Sequence, residues 1–203
     1  MSKKTDNFKD NSSAKNRSKD MTEQITTLVP YTPYIFSTLL GYYSYDLLKP
    51  YIHVGQPGVD YYTEAHLSTW NARVHTMGMP FFIFGILQWI PTLLGLNYHQ
   101  SKMIAYNLYT LYAGHYFRLD KRVFLMYLLF YYFPLQFAIN AYRKHDPSTL
   151  RWWLFKRGFL ISFIALGFQE GVGHYVGGDI ASRPEGVLNA IVYAMYFSVG
   201  HWL

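Results

Sequence analysis

From position 31 to the end, the chain alternates long apolar stretches with short polar joints, the stretches falling at 31–48, 79–96, 103–117, 123–141, 158–176 and 186–203. Several approach the roughly 20 residues that a membrane-crossing helix requires. Two of them, "MPFFIFGILQWIPTLLGL" (79–96) and "VFLMYLLFYYFPLQFAINA" (123–141), carry no charged side chain and are dense in large apolar and aromatic residues. That is the composition of a helix embedded in hydrocarbon. The first stretch, "YTPYIFSTLLGYYSYDLL", is different, with Pro33, Gly41, Asp46 and five tyrosines. Such a mixture suits a helix lying at the headgroup interface as well as one that crosses. The pattern predicts an all-α fold, a polytopic membrane helix bundle.

Residues 1–26, "MSKKTDNFKDNSSAKNRSKDMTEQIT", have almost no apolar side chains. Too little burial is available to offset the entropy of ordering them, so a disordered polar tail is expected. No apolar core follows its basic residues at the distance a secretory signal needs. The chain therefore divides into a tail (1–26) and a membrane-embedded domain (27–203).

Composition sharpens this picture. Charged residues make up 15% of the chain and aromatic residues 20%, against a usual charged share of about 25% in soluble domains. The net charge of +6 comes from Lys and Arg dispersed over tail and loops. Dispersion of that kind fits an anionic membrane surface and gives no reason to expect nucleic acid as a partner. If all six stretches cross, the segment 49–78 and the loops near 118–122 and 177–185 share one side. The tail, that loop set and the remaining loops each hold six Lys or Arg. Whichever loop set lies with the tail brings its side to twelve against six, which places the tail in the cytosol.

The absence of cysteine removes disulfides, thiolate metal sites and cysteine nucleophiles. Any metal must be held by histidine or oxygen ligands. His66 and His75, nine apart, would point to opposite sides of one continuous helix. Ser68 and Thr69 are good helix N-caps, however, so a helix starting there leaves His66 on the incoming segment, free to fold back. Asn71 and His75 then share a face. A second cluster, "GFQEGVGHYVGGD", places Glu170 and His174 four apart among five glycines. A carboxylate and an imidazole at membrane depth are costly unless they are paired or metal-bound. Imidazoles with one carboxylate and open positions suit oxygen-handling iron(II), with zinc the obvious competitor. The plain role of a single histidine at a membrane edge is hydrogen bonding, and that reading is kept for His53, His99, His145 and His201. His115, following Gly114, is left open between the two roles.

These residues resemble the 2-hydroxy fatty acid dioxygenase family of the fungal endoplasmic reticulum and its bacterial relatives. The motif H-x4-N-x3-H-x4-P is met by His66, Asn71, His75 and Pro80. A second motif is met by Glu170, Gly173, His174, Arg183, Pro184 and Asn189, and the match runs over roughly 60–195. Thr69 stands where members often carry Pro, Glu170 stands where Gln is common, and the stretch from His174 to Pro184 is longer here. The resemblance implies a multi-pass enzyme of the endoplasmic reticulum membrane. With iron(II) and O2 it would shorten 2-hydroxy fatty acids by one carbon, in α-oxidation and sphingoid base degradation. It makes His66, His75 and His174 the catalytic metal ligands and puts Asn71 and Glu170 beside the metal, Glu170 as a ligand or as a partner orienting His174. Arg183 and Asn189 fall to the substrate, and an arginine suits its carboxylate. The resemblance has no place for His115. Membrane di-iron hydroxylases need H-x3-H and H-x2-H-H clusters, which the chain lacks. A non-catalytic lipid-binding membrane protein is the remaining alternative, and it predicts no bound metal.

Overall fold

In the computed structural model, which describes residues 29–51, 56–144, 151–179 and 187–200, every regular element is helical. The expected tail (1–26) lies outside the described residues. A short 3-10 turn, Val29–Tyr31, leads into α1 (Thr32–Leu48), followed by α2 (Gln56–Thr63), α3 (Thr69–Leu93), α4 (Tyr98–Leu119), α5 (Lys121–Lys144), α6 (Arg151–Gly167), a π-helical segment (Phe168–Tyr175) and α7 (Val187–Gly200).

Local chemistry fixes the joints. Pro33 opens α1 at a position where its missing N–H costs nothing. Asn97 and Gln100 form a reciprocal capping box at the start of α4. Asp120 then ends α4, and its carboxylate accepts from the amides of Arg122 (2.7 Å) and Val123 (3.4 Å), which starts α5. α3 is the central element and packs against α5, α6, α7 and the π segment, whereas α1 lies along α4.

Among the described residues two helices, α3 and α5, are long and apolar enough to cross a membrane. At 1.5 Å per residue each spans roughly 37 Å, more than the ~30 Å of a hydrocarbon core. Along α5, Val123, Tyr127, Tyr131, Leu135, Ala138 and Tyr142 are buried, while Leu125, Leu129, Phe133 and Phe137 stand exposed on the other face. Both faces of the helix are thus apolar. A helix whose outer stripe meets water would carry polar groups there, so this one suits contact with lipid tails.

The buried interior is rich in tyrosine, and its hydroxyls are hydrogen-bonded. Tyr116 donates to the Val192 carbonyl (2.6 Å), Tyr127 to Tyr109 (3.1 Å) and Tyr109 to Leu128 (2.7 Å), and Tyr131 pairs with Ser198 Oγ (2.6 Å). These bonds stitch α4, α5 and α7 together and satisfy the tyrosine hydroxyls that make them.

Candidate metal centre

Ser68 takes an extended conformation (φ −75°, ψ 130°), and its hydroxyl accepts the Asn71 amide at the start of α3. The helix therefore begins after His66, whose amide donates to the Thr63 carbonyl (2.8 Å) in a turn that closes α2. That turn folds the His66 ring back over the first turns of α3. Asn71 and His75, one helical turn apart, are both buried there.

The third contributor arrives from the π segment. α-Helical spacing predicts Glu170 and His174 on one face, and the wider π turn also brings Gln169, five residues before His174, to the inner side. Gln169 and His174 are buried, while Glu170 is half-buried. Gly173 lets the segment close onto α3, since a Cβ there would lie 2.6 Å from Asn71 Oδ1. Gly178, at φ 76°, makes the left-handed turn that returns the chain. Asp179 follows immediately, donating its amide to the His174 carbonyl (3.0 Å). Its carboxylate accepts from the Ser68 amide (3.1 and 3.0 Å) and from Asn71 Nδ2 (2.9 Å).

These local structures bring His66, His75 and His174 into one buried group, with one ring nitrogen from each lying within 4.8 Å of the others. His66 Nδ1 donates to the Tyr62 carbonyl at 2.7 Å. A carbonyl only accepts, so the proton sits on Nδ1 and the lone pair on Nε2, which is buried without a hydrogen-bond partner among the described residues. Anchoring the non-ligating nitrogen on a backbone carbonyl is the usual support of a metal-binding histidine. Burial pushes the His66 imidazolium down to about 4 against the opposing pull of Tyr62, so the ring is neutral near pH 7.

His75 Nε2 and His174 Nε2 lie 3.3 Å apart. Two nitrogens bound ~2.1 Å from one metal at tetrahedral or octahedral angles sit ~3.0–3.4 Å apart, so this spacing fits a shared ion. Asn71 Nδ2 lies 3.3 Å from His174 Nδ1, while Asn71 Oδ1 is buried with no hydrogen-bond partner among the described residues. The Asn71 amide is held in this place by its donation to Asp179 Oδ2, so it stands fixed against the His174 ring. Tyr62 stacks on His66 at 4.2 Å and Phe197 lies 4.8 Å away, closing the group in aromatic walls. Three imidazole nitrogens in an apolar shell could hold a first-row transition metal ion.

A cavity of about 900 Å³ opens from this group. His66, His75, Gln169 and Glu170 line one end, and its length follows α3 through Met79, Ile83 and Leu87 to Ile90.

Of the other residues singled out by the sequence, Asn189 is buried in α7, Glu170 faces the cavity without joining the three-histidine group, and Arg183 lies outside the described residues. His99 is exposed at the start of α4, and His53, His145 and His201 lie outside the described residues. His115 is buried elsewhere, with Nδ1 2.8 Å from Ser44 Oγ. Sequence reasoning missed Tyr62, Gln169 and Asp179. The acid closing the glycine run was the one visible signal for Asp179. No family model, curated protein or solved structure matches the chain.

Proposed function

We propose that the protein is an iron(II)-dependent dioxygenase that shortens 2-hydroxy fatty acids by one carbon, serving α-oxidation and sphingoid base degradation. On this reading it is a multi-pass protein of the endoplasmic reticulum membrane, with α1, α4, α6 and α7 joining α3 and α5 in the bilayer. The observation that carries the reading is the convergence of three buried histidines at the polar end of an apolar cavity. The two motifs described above add the substrate class.

His66, His75 and His174 would hold the metal. Bound there, iron(II) would supply oxygen activation and would bind the hydroxyl and carboxylate of the acid. The overall change balances with no external reductant: hydroxy acid and O2 give the shorter acid, carbon dioxide and water. The chain's own residues supply placement. The Tyr62 carbonyl fixes the His66 ring plane, and Asn71, held by Asp179, stands against His174. Tyr62 and Phe197 keep bulk water from the reacting carbons. The apolar wall of α3 directs the tail away, so that the carboxyl end is the part presented to the histidines. Arg183 and Asn189 are assigned to the substrate, Arg183 to its carboxylate.

The test is to purify the protein without oxygen, load it with iron(II), add a long-chain 2-hydroxy acid with air, and look by mass spectrometry for the acid one carbon shorter. Product from the parent and none from the variant with His66, His75 and His174 all changed to Ala is the expected result. An iron-loaded parent that forms no product overturns the enzyme reading, and a parent that retains no iron leaves a lipid-binding membrane protein as the better account.

A further inference from the structure

Towards its far end the cavity meets a packed wall. Leu87, Ala105 and Leu135 line it there and are themselves buried. Behind them Ala138, Ile139 and Tyr142 complete one packed cluster, and the Tyr142 hydroxyl donates to the Leu87 carbonyl, tying α5 to α3 across the end. Close-packed walls of this kind yield little to an entering group.

The middle of the cavity is apolar despite its tyrosines. Tyr109, Tyr127 and Tyr131 line it, but their hydroxyls are engaged by Leu128, Tyr109 and Ser198, so ring surface is what they offer a ligand. The histidines stand at the opposite end from the packed cluster. A ligand matching this layout has one polar head and one unbranched apolar tail.

Its length follows from α3. From position 75 to position 90 the helix rises roughly 22 Å. A bilayer core of ~30 Å is two tails end to end, so one long tail occupies ~15 Å when fluid and somewhat more when extended. That run accommodates a single long tail.

We propose that this cavity is an acyl-chain ruler. It takes one long-chain carboxylic acid with its carboxyl end at His66 and His75 and its terminal methyl against Leu87, Ala105 and Leu135, which set the longest acid accepted. The placement of the carboxyl end rests on the reading of the histidines as the reactive end; the length limit rests on the packed wall.

The test measures binding, so it does not need turnover. Protein loaded with zinc(II) in detergent micelles is given a fluorescent polyene fatty acid, which is displaced by saturated acids from octanoic to tetracosanoic. The parent should bind hexadecanoic and octadecanoic acids best and tetracosanoic acid at least about tenfold more weakly, the scale of overpacking a closed core. Ile83→Trp, placed about halfway along α3 from His75, should move the limit to medium-chain acids. Leu135→Ala, which opens the far wall, should move it to longer ones. Affinity that keeps rising to tetracosanoic acid in the parent overturns the proposal. So does an unchanged limit in both variants when each still binds the probe. Should Ile83→Trp fail to bind the probe, Leu135→Ala alone decides. The outcomes also separate the ruler from the reaction. A length limit without shortening of any 2-hydroxy acid rejects the dioxygenase reading and keeps the ruler, whereas equal shortening of all lengths does the reverse.

Discussion

Two buried histidine environments share this helical frame, and they offer different chemistry. At the α1–α4 crossing, His115 Nδ1 lies 2.8 Å from Ser44 Oγ, and that hydroxyl spends its own proton on the Gly41 carbonyl (2.5 Å). His115 therefore donates from Nδ1 and carries a lone pair on Nε2 that has no hydrogen-bond partner among the described residues, just as His66 does. The difference lies in the company each lone pair keeps. The His66 nitrogen faces those of His75 and His174, delivered from separate segments, whereas His115 has the rings of Tyr116 and Tyr193 for neighbours. Burial and a free nitrogen do not by themselves make a metal site. Convergence does, because one neutral imidazole cannot replace the hydration shell of an ion.

The comparison can be broken in several ways, the largest first. Metal added at about 100 times its Kd should stabilise the parent by about 2.7 kcal/mol. A thermal unfolding series should show the same gain in His115→Ala and no gain in His75→Ala. An equal gain in both variants would erase the distinction. Next is Gly114→Ala, whose new methyl would collide with the Thr38 carbonyl. It should cost about 1–3 kcal/mol by overpacking the α1–α4 crossing, yet leave metal affinity within about twofold, because sites that share no partners behave additively.

Asp179→Ala should act in the opposite sense. It removes the acceptor for both Ser68 and Asn71, and loss of such outer support lowers metal affinity about 10–100-fold. Equilibrium dialysis reads that loss, and Asp179→Asn should recover part of it. The smallest effect belongs to Ser68→Ala. Loss of the α3 cap should cost about 1 kcal/mol in unfolding experiments, with a correspondingly small change in metal affinity.

The helices were legible in the sequence because long apolar stretches admit few alternatives, and the start of α3 was legible in Ser68 and Thr69. The six stretches correspond to α1, α3, α4, α5, α6 with the π segment, and α7. Spacing was incomplete at His174. An α-helical period pairs it with Glu170, and nothing in "GFQEGVGHY" announces the π turn that brings Gln169 inward as well. The partnership of Asp179 with Ser68 and Asn71 was equally hidden, since it joins positions more than one hundred residues apart through a left-handed glycine. The cavity was illegible for a third reason. α4 packs on α1 and α5 and stands off α3, and that gap depends on tertiary placement, which no local pattern encodes.

The most direct test counts metal. Protein purified without chelator and dialysed against iron(II) under anaerobic conditions should hold one equivalent per chain by mass spectrometry of the metal. The His66→Ala, His75→Ala and His174→Ala variants should each lose it, and His115→Ala should keep it. A parent that holds no metal, or single variants that hold as much as the parent, would contradict the three-histidine centre.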